Sequence, residues 1–204
     1  MRNYLVRSSF IYLLFFCTQL NAQDAFRYSC ESLQIPTFET VKYRASIDVR
    51  DKHLSGILIC KQVEHNAVRV VFLNEVGSTF FDITLNEQDY IYHTVMSSLD
   101  KKAVKRTLAK DLGMIMARGI YNSYKNISTD KNIIKLKLKR KGTVLYKANT
   151  TCKQYVSIDN YGRKKVVSIT QEFQKDNSMP ETIFVQHHKV NFTINLKLLL
   201  DVAE

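Results

Sequence analysis

Histidine and cysteine are the residue types in this chain whose side chains most often bind metals or act as nucleophiles. Five His and four Cys occur among its 204 residues. His187 and His188 are adjacent, but no cysteine or carboxylate accompanies them at the spacing of a metal site. His53, His65 and His93 fall at or near the ends of predicted strands. The chain also lacks G-x-S-x-G, P-loop and H-E-x-x-H motifs, so it predicts a non-enzymatic protein with no metal and no cofactor.

The first residues have the pattern of an export signal. Arg2 and Arg7 precede an apolar run that is too short to span a bilayer, and Ala22 offers the small residue that precedes a cleavage point. We therefore expect a signal peptide at residues 1–22, a single domain at residues 23–204, and a periplasmic location. Cleavage removes the two arginines and lowers the net charge from +11 to +9.

The cysteines leave two questions open. Cys17 would carry the acyl group of an outer-membrane lipoprotein, but bulky Phe16 stands where a lipobox needs a small residue, which favours an unanchored chain. After cleavage Cys30, Cys60 and Cys152 remain, in a compartment where disulfides persist. Any one pair of the three can form a bridge, or all three can be half-buried thiols.

Basic residues form two runs in the second half of the chain. Arg163–Lys165 stand beside the turn predicted at Asn160–Gly162. Such runs usually form a solvated face, which also protects a sheet edge from aggregation. The functional alternative is docking on an anionic membrane surface or an acidic protein partner, whereas an exported chain without a binding motif is not expected to bind nucleic acid. The other basic run consists of lysines that alternate with apolar residues along one predicted strand, namely Lys135, Lys137, Lys139 and Lys141.

Most of the chain has the alternating pattern of half-buried strands. From Thr40, apolar residues alternate with polar ones as far as Arg50, which gives a strand with one wet face. Short turns such as Asn74–Gly77 separate the next segments, and connections this short favour an antiparallel meander. The further strands expected in the first half are Gly56–Val63, Ala67–Leu73, Ser78–Leu85 and Tyr90–Val95.

One amphipathic helix interrupts the strands. Asp100 can serve as its N-cap, apolar residues recur at helical spacing from Val104 to Ile115, and the helix is expected to end near Ala117. Lysines and arginines cover its other side. A sheet of ten or eleven strands must curl or split, so the pattern predicts a mainly β fold with one curled antiparallel sheet and the helix packed in its concave side. The strands expected after the helix are Ile120–Tyr124, Ile133–Lys141, Thr143–Asn149, Lys164–Phe173, Thr182–Gln186 and Val190–Leu200.

The stretch from Phe38 to Ala117 resembles a known family. The residues that carry the resemblance are Tyr43–Ala45, Leu54–Ile59, Val68–Phe72 with Glu75 and Gly77, Thr79–Asp82, and Leu99–Val104 with Leu108. In these segments the chain resembles the Lol-type lipoprotein carrier superfamily, which includes the periplasmic carrier LolA and the outer-membrane receptor LolB, and it is similar to LolB-like proteins of the Bacteroidetes.

The resemblance implies both a fold and a function. The fold is an incomplete antiparallel β-barrel closed by helices over an apolar cavity, and the cavity takes the acyl chains of lipids or lipoproteins on their way to the outer membrane. Two features depart from the family pattern. The chain lacks the acylated cysteine expected of a LolB-type receptor, and it shows one strong helix where carriers of this class have more than one.

Apolar side chains on neighbouring strands and on the helix form the candidate site. They would bind acyl chains, or they would simply fill a dry core, in which case the protein is a structural or interaction module without a ligand. Arg69 and Asp82 flank the turn at Glu75–Gly77 and form a second candidate, either a solvent-side ion pair or a latch that holds the helix as a lid. The candidate acyl-binding residues are Ile57, Ile59, Val70, Phe72, Phe81, Ile83, Val104, Leu108, Leu112 and Ile115.

Overall fold

The computed structural model describes residues 35–64, 67–86, 89–118, 124–138, 142–149, 151–174 and 177–200. Several features expected from the sequence lie outside these residues. They are the signal peptide at residues 1–22, Cys17, Cys30, His65, the expected strand at residues 120–123, Lys139 and Lys141.

Within the described residues the chain forms twelve strands and one helix, the latter lying between the fifth and sixth strands. The strands before the helix are β1 Thr40–Val49, β2 Lys52–Glu64, β3 Ala67–Leu73, β4 Thr79–Leu85 and β5 Tyr90–Val95, and the helix is α1 Lys102–Ile115. The strands after the helix are β6 Tyr124–Asp130, β7 Ile133–Leu138, β8 Thr143–Ala148, β9 Tyr155–Tyr161, β10 Lys165–Glu172, β11 Thr182–His187 and β12 Phe192–Leu199.

All twelve strands belong to one antiparallel sheet with the order β5-β4-β3-β2-β1-β12-β11-β10-β9-β8-β7-β6. Each strand pairs with its neighbour in sequence, except at the centre, where β1 pairs with β12 from Lys42 opposite Leu199 to Val49 opposite Phe192. The two edges are therefore β5 and β6, and the segment that contains α1 connects them. Its helix α1 lies over one face of the sheet, with hydrogen bonds to β5 and to β8.

Two tyrosines on distant strands show that the sheet is strongly curled. The Tyr92 hydroxyl on β5 donates to the Lys105 carbonyl at 2.9 Å, and the Tyr146 hydroxyl on β8 donates to the Met114 carbonyl at 3.0 Å. In a flat sheet β5 and β8 would be ~43 Å apart, because nine inter-strand spacings separate them. The two carbonyls are only ~14 Å apart along the helix axis. The sheet therefore wraps around α1, and the predicted curled antiparallel sheet with a helix in its concave side is confirmed.

Two strands were not expected from the sequence, and one turn was placed wrongly. β6 has the polar sequence YKNISTD, which lacks an apolar alternation. In β9 the buried residue Asn160 stands where an apolar one would be expected, and its side-chain amide donates to the Met114 sulfur at 3.8 Å. Asn160 and Tyr161 are consequently strand residues, and the turn that follows them comprises residues 162–164.

The first turn of the helix also differs from expectation. Lys101, not Asp100, is the N-cap residue, and it makes no side-chain capping hydrogen bond. The Asp100 carboxylate instead forms an ion pair with Lys105. At the other end Ala117 has a left-handed φ of 49°, and the Arg118 amide donates to the Gly113 carbonyl at 2.9 Å, which closes the helix.

Gly56 marks a close approach between β2 and the end of β3. A Cβ atom at this position would lie 1.8 Å from the Leu73 carbonyl oxygen, so no larger residue fits without moving the backbone. The next turn is built by Asn74, whose side-chain oxygen accepts hydrogen bonds from the amides of Val76 and Ser78. Gly77 completes this turn with a φ of +84°.

Candidate functional site

The concave face of β2, β3 and β4 is continuous and apolar. Cross-strand register aligns Leu58 with Phe72, and Phe72 with Phe81. One row further along it aligns Cys60 with Val70, and Val70 with Ile83. All six side chains are buried. The rings of Phe72 and Phe81 are 5.6 Å apart between centroids, so the aromatic side chains of the first row are in contact.

The expected positions of Ile57 and Ile59 on this face are wrong. Ile57 pairs with Leu73 and Ile59 with Val71, and Ile57 is 40% exposed. Side chains alternate between the two faces of a strand, so an error of one residue in the expected alternation of β2 assigns its outward-facing residues to the inner face. Leu58 and Cys60 occupy the inner positions, and they belong to the alternating buried series of β2 that begins at Leu54.

The helix covers this face with the residues expected from its periodicity. Leu108, Leu112 and Ile115 are buried in the same core as Val70, Phe72, Phe81 and Ile83. Val104 is half-buried and packs against the edge of that core. The sequence did not indicate Met114, which is fully buried at the end of the helix and accepts hydrogen bonds from two strands.

A buried hydrogen bond between two side chains joins α1 to the sheet. Asp111 Oδ2 lies 2.7 Å from Nε2 of His187 at the end of β11, and the two side chains are only 1% and 7% exposed. The second oxygen of Asp111 has no hydrogen-bond partner among the described residues. Burial raises the pKa of Asp111, although the hydrogen bond from His187 opposes that rise. The ring of His187 packs on Phe192 with 4.7 Å between centroids.

No signal in the sequence could have paired these two residues. They are 76 positions apart, and Asp111 stands beside Lys110 in a helix whose polar face is otherwise basic. An acidic residue on the buried side of an amphipathic helix is the one cue, since Asp is almost never fully buried without a partner.

The Arg69–Asp82 pair forms as expected, but it does not latch the helix. Arg69 donates to both carboxylate oxygens of Asp82, at 3.0 and 2.6 Å. Arg69 lies between the inward-facing residues Val68 and Val70, so it points to the outer face, away from α1. The pair is therefore the solvent-side ion pair, and the helix is held from the inner face instead.

The basic runs lie where the alternation predicts, as far as they are described. Lys135 and Lys137 are exposed, while Ile134 and Leu136 between them are buried. Their strand β7 is one position inside the edge, so it does not itself protect the edge of the sheet. Arg163 and Lys164 are exposed in the turn after β9, and Lys165 lies 3.0 Å from Asp159.

Two cavities border α1. One, of about 140 Å³, lies beside its first turns and is lined by Val49, Val104, Val190 and Phe192 among others. The other, of about 40 Å³, lies beside Ile115 at its last turn. Neither has the volume of roughly 300–1,000 Å³ that is typical of a ligand pocket.

Cys152 is disulfide-bonded, and Cys60 is a free, buried thiol. The pairings that involve Cys60 are therefore wrong. Elsewhere in the described residues no three His, Cys, Asp or Glu side chains converge as metal ligands. Among the same residues, no helix combines the length and the apolar character needed to cross a membrane.

An open, strongly curled antiparallel sheet with a helix across its concave face defines the class of this fold. No protein-family profile and no curated protein sequence matches the chain. Solved structures do match, and they identify the fold as LolA-like.

Three of these structures show the extent of the match. A LolA superfamily protein from Nitrosomonas europaea has a TM-score of 0.50 at 11% identity, covering 84% of this chain and 88% of that one. A domain assigned to outer membrane lipoprotein sorting, from Vibrio parahaemolyticus, has a TM-score of 0.51 at 9% identity, with coverage of 87% and 89%. A DUF1329 family protein from Desulfovibrio piger has a TM-score of 0.50 at 10% identity, with coverage of 82% and 88%. Likeness at this identity establishes the fold alone.

Proposed function

We propose that this chain is an exported, non-enzymatic binding protein that holds the acyl chains of lipids or lipoproteins between α1 and the concave face. One observation carries the proposal: a single helix covers a continuous apolar face of the curled sheet, with contacts from Tyr92 on β5 to Tyr146 on β8. The fold shared with a structure assigned to lipoprotein sorting supports the same reading. In this reading residues 1–22 are removed on export and residues 23–204 form one domain.

The cargo gains its space when α1 moves away from the sheet. The cavities beside the helix hold about 140 and 40 Å³, which is too little for a long acyl chain. The apolar contacts of Leu108, Leu112 and Ile115 with the sheet would then be exchanged for contacts with the chain. Burial contributes ~0.8 kcal/mol for each CH₂, so an acyl chain of ordinary length can replace the helix without any polar site.

A packed module without a ligand is the second candidate, and the burial of the concave face favours it. Val70, Phe72, Phe81 and Ile83 are inaccessible to solvent. In addition, Tyr92, Tyr146, Asn160 and His187 all bond to the helix from the sheet. In this second reading α1 is a permanent part of the core.

A binding measurement separates the two candidates. The purified protein is extracted with organic solvent and the extract is analysed by mass spectrometry, and the delipidated protein is then titrated with a fluorescent long-chain fatty acid. We expect co-purified lipid and saturable binding of one probe per chain. A lipid-free extract together with no saturable binding contradicts the carrier and leaves the packed module.

Two matched variants locate the binding. Val104→Lys places a charge at the half-buried edge of the helix–sheet core, and Ile57→Lys places the same charge on the outer face. We expect Val104→Lys to weaken probe binding at least tenfold and Ile57→Lys to leave it unchanged. Equal loss in both variants would place the acyl chain somewhere other than beneath α1.

A further inference from the structure

Two turns form a fixed rim beside the start of α1. The Arg50 amide, in the turn after β1, donates to the Asn191 carbonyl at 2.9 Å, and the Asn191 side-chain amide donates back to the Arg50 carbonyl at 3.2 Å. Arg50 has a left-handed φ of 55°, which these two bonds maintain. The turns before β2 and before β12 are therefore held together as one structure.

A hollow opens at this rim. It has a volume of about 140 Å³, and Val49, Val104, Val190 and Phe192 provide its apolar lining. Val190, at the tip of the second turn, is 57% exposed although it is an aliphatic residue. An exposed aliphatic side chain and an apolar hollow therefore lie side by side at this rim.

The end of the sheet that carries this rim is basic. In an antiparallel sheet that starts with β1, the odd-numbered strands all finish at the same end. Their turns and the residues that directly follow them bring exposed cations to this end, against Asp51, Glu75 and Asp100 as exposed acids. The positive end of the α1 dipole lies there too, because the helix begins beside the hollow. The exposed cations are Arg50, Lys52, Lys101, Lys102, Arg163, Lys164 and Lys189.

The opposite end of the sheet carries both signs of charge. Lys61 pairs with Thr40 beside Glu39, and Lys197 pairs with Thr182 beside Glu181. This end therefore lacks the excess of cations that the rim has. Its acids are Glu39, Glu64, Asp89, Asp130, Glu172 and Glu181, and its exposed cations are Lys61, Lys131, Lys147, Lys153 and Lys197.

We propose that the basic rim, comprising the turns at residues 50–52 and 188–191 and the start of α1 at residues 101–104, docks this protein on an anionic phospholipid bilayer. The cations come from several separate turns at this end of the sheet, which matches a diffuse negative plane. Val190 enters the headgroup region, and the lysines contact lipid phosphates. Because this end carries an excess of cations, long-range attraction turns it towards the bilayer.

The site also explains the lysines at the start of α1. Lys101 and Lys102 stand at the positive end of the helix dipole, where they are mildly unfavourable for the isolated helix. On an anionic surface the lysines and the dipole act in the same direction. Docking does not require a bound acyl chain, so this proposal and the proposed function stand or fall by different experiments.

Sedimentation with vesicles tests the proposal. The delipidated full chain is mixed with vesicles of phosphatidylcholine alone or of phosphatidylcholine with phosphatidylglycerol, at low and at high salt. We expect binding to the anionic vesicles only, and we expect it to weaken with added salt. Equal binding to both vesicle types, or no binding to either, overturns the proposal. Binding to a soluble polyglutamate but not to vesicles also overturns it, in favour of an acidic protein partner.

Two triple variants of equal net charge localise the surface. Lys101→Gln/Lys102→Gln/Lys189→Gln removes three charges from the basic rim. We expect it to lose about fivefold in vesicle affinity for each charge, or about 100-fold overall. Val190→Ser should add a further loss with no change in salt dependence. The control, which removes three exposed lysines from the outer strand face, is Lys135→Gln/Lys137→Gln/Lys147→Gln.

The control variant also tests whether the lysines of the outer strand face contribute to vesicle binding. If it loses as much affinity as the rim variant, binding follows net charge alone and the rim has no special role. Circular dichroism melting checks the fold of each variant, and all the replaced lysines are exposed, so the melting temperatures should agree.

Discussion

The hydrogen bond between Asp111 and His187 ties α1 to the sheet through two buried side chains. Both side chains are almost completely buried, and the oxygen of Asp111 that does not face His187 has no hydrogen-bond partner among the described residues. His187→Ala would leave the Asp111 carboxyl buried without its imidazole. Leaving a buried polar group unsatisfied typically costs ~1–3 kcal/mol, so we expect a loss of about that size.

The double variant should lose much less than the sum of the two single variants. In Asp111→Ala/His187→Ala no unsatisfied polar partner remains, and the loss is mainly one of packing against Phe192. We therefore expect a coupling energy of at least ~1 kcal/mol between the two positions. Urea unfolding gives the free energies, and a single-variant loss of ~1–3 kcal/mol corresponds to a fall in Tm of roughly 2–12 °C for a chain of this size.

The Arg69–Asp82 pair provides the matched control. It is also hydrogen-bonded, but Arg69 lies on the outer face and its side chain is 49% exposed. Its double-mutant cycle should give a coupling of only ~0–1 kcal/mol. If the Asp111 and His187 losses are additive within ~0.5 kcal/mol, the pair does not fasten the helix and the reasoning is refuted.

Three further predictions follow from burial. Burial raises the pKa of Asp111 above its ordinary value of 3.8, so the folded chain holds the carboxyl proton more tightly than the unfolded chain does. The contribution of this carboxyl to stability therefore falls as the pH rises above that value. Urea midpoints measured across an acidic pH series should show this fall, and Asp111→Asn should lack it. Burial raises the pKa of the Cys60 thiol to about 12, so a thiol reagent should modify it only after denaturation, and modification of the native chain at neutral pH would contradict its placement. Leu58→Ala should lower the free energy of unfolding by ~2–5 kcal/mol and Ile57→Ala by clearly less, because only the Leu58 side chain is fully buried. A larger loss in Ile57→Ala would mean that Ile57, and not Leu58, faces the core.

The fold followed from local patterns where those patterns were clean. The bounds of β3 and β5 match the expected ones, because each is an apolar or aromatic run between short turns. β6 and β9 were missed because their backbone hydrogen bonds come from neighbouring strands, which a polar sequence does not indicate. β6 pairs with β7 at the edge of the sheet, and β9 pairs with β8 and β10. In β9 the buried Asn160 is accommodated by Met114, a partner on the helix that only the tertiary structure provides.

The candidate site was predictable only in its apolar part. The helical stripe of Leu108, Leu112 and Ile115 is where its period places it. The facing of β2 depended on a choice between two alternations, since Ile57 and Ile59 are as apolar as Leu58 and Cys60. The polar ties to the helix come from residues far away in sequence, and no local rule connects them.

The pairing of β1 with β12 at the centre of the sheet has a consequence for how this protein folds. Each half of the sheet is a meander whose strands meet their sequence neighbours, so both halves can form from local contacts soon after they are available. Their junction brings together residues as distant as Lys42 and Leu199, and closing so long a loop is the step with the largest entropic cost. Until β12 arrives, β1 presents an unpaired strand edge in the middle of the future sheet, where a second chain can pair with it. The pairing of β12, the last strand of the described residues, therefore ends the period in which this protein is most exposed to aggregation.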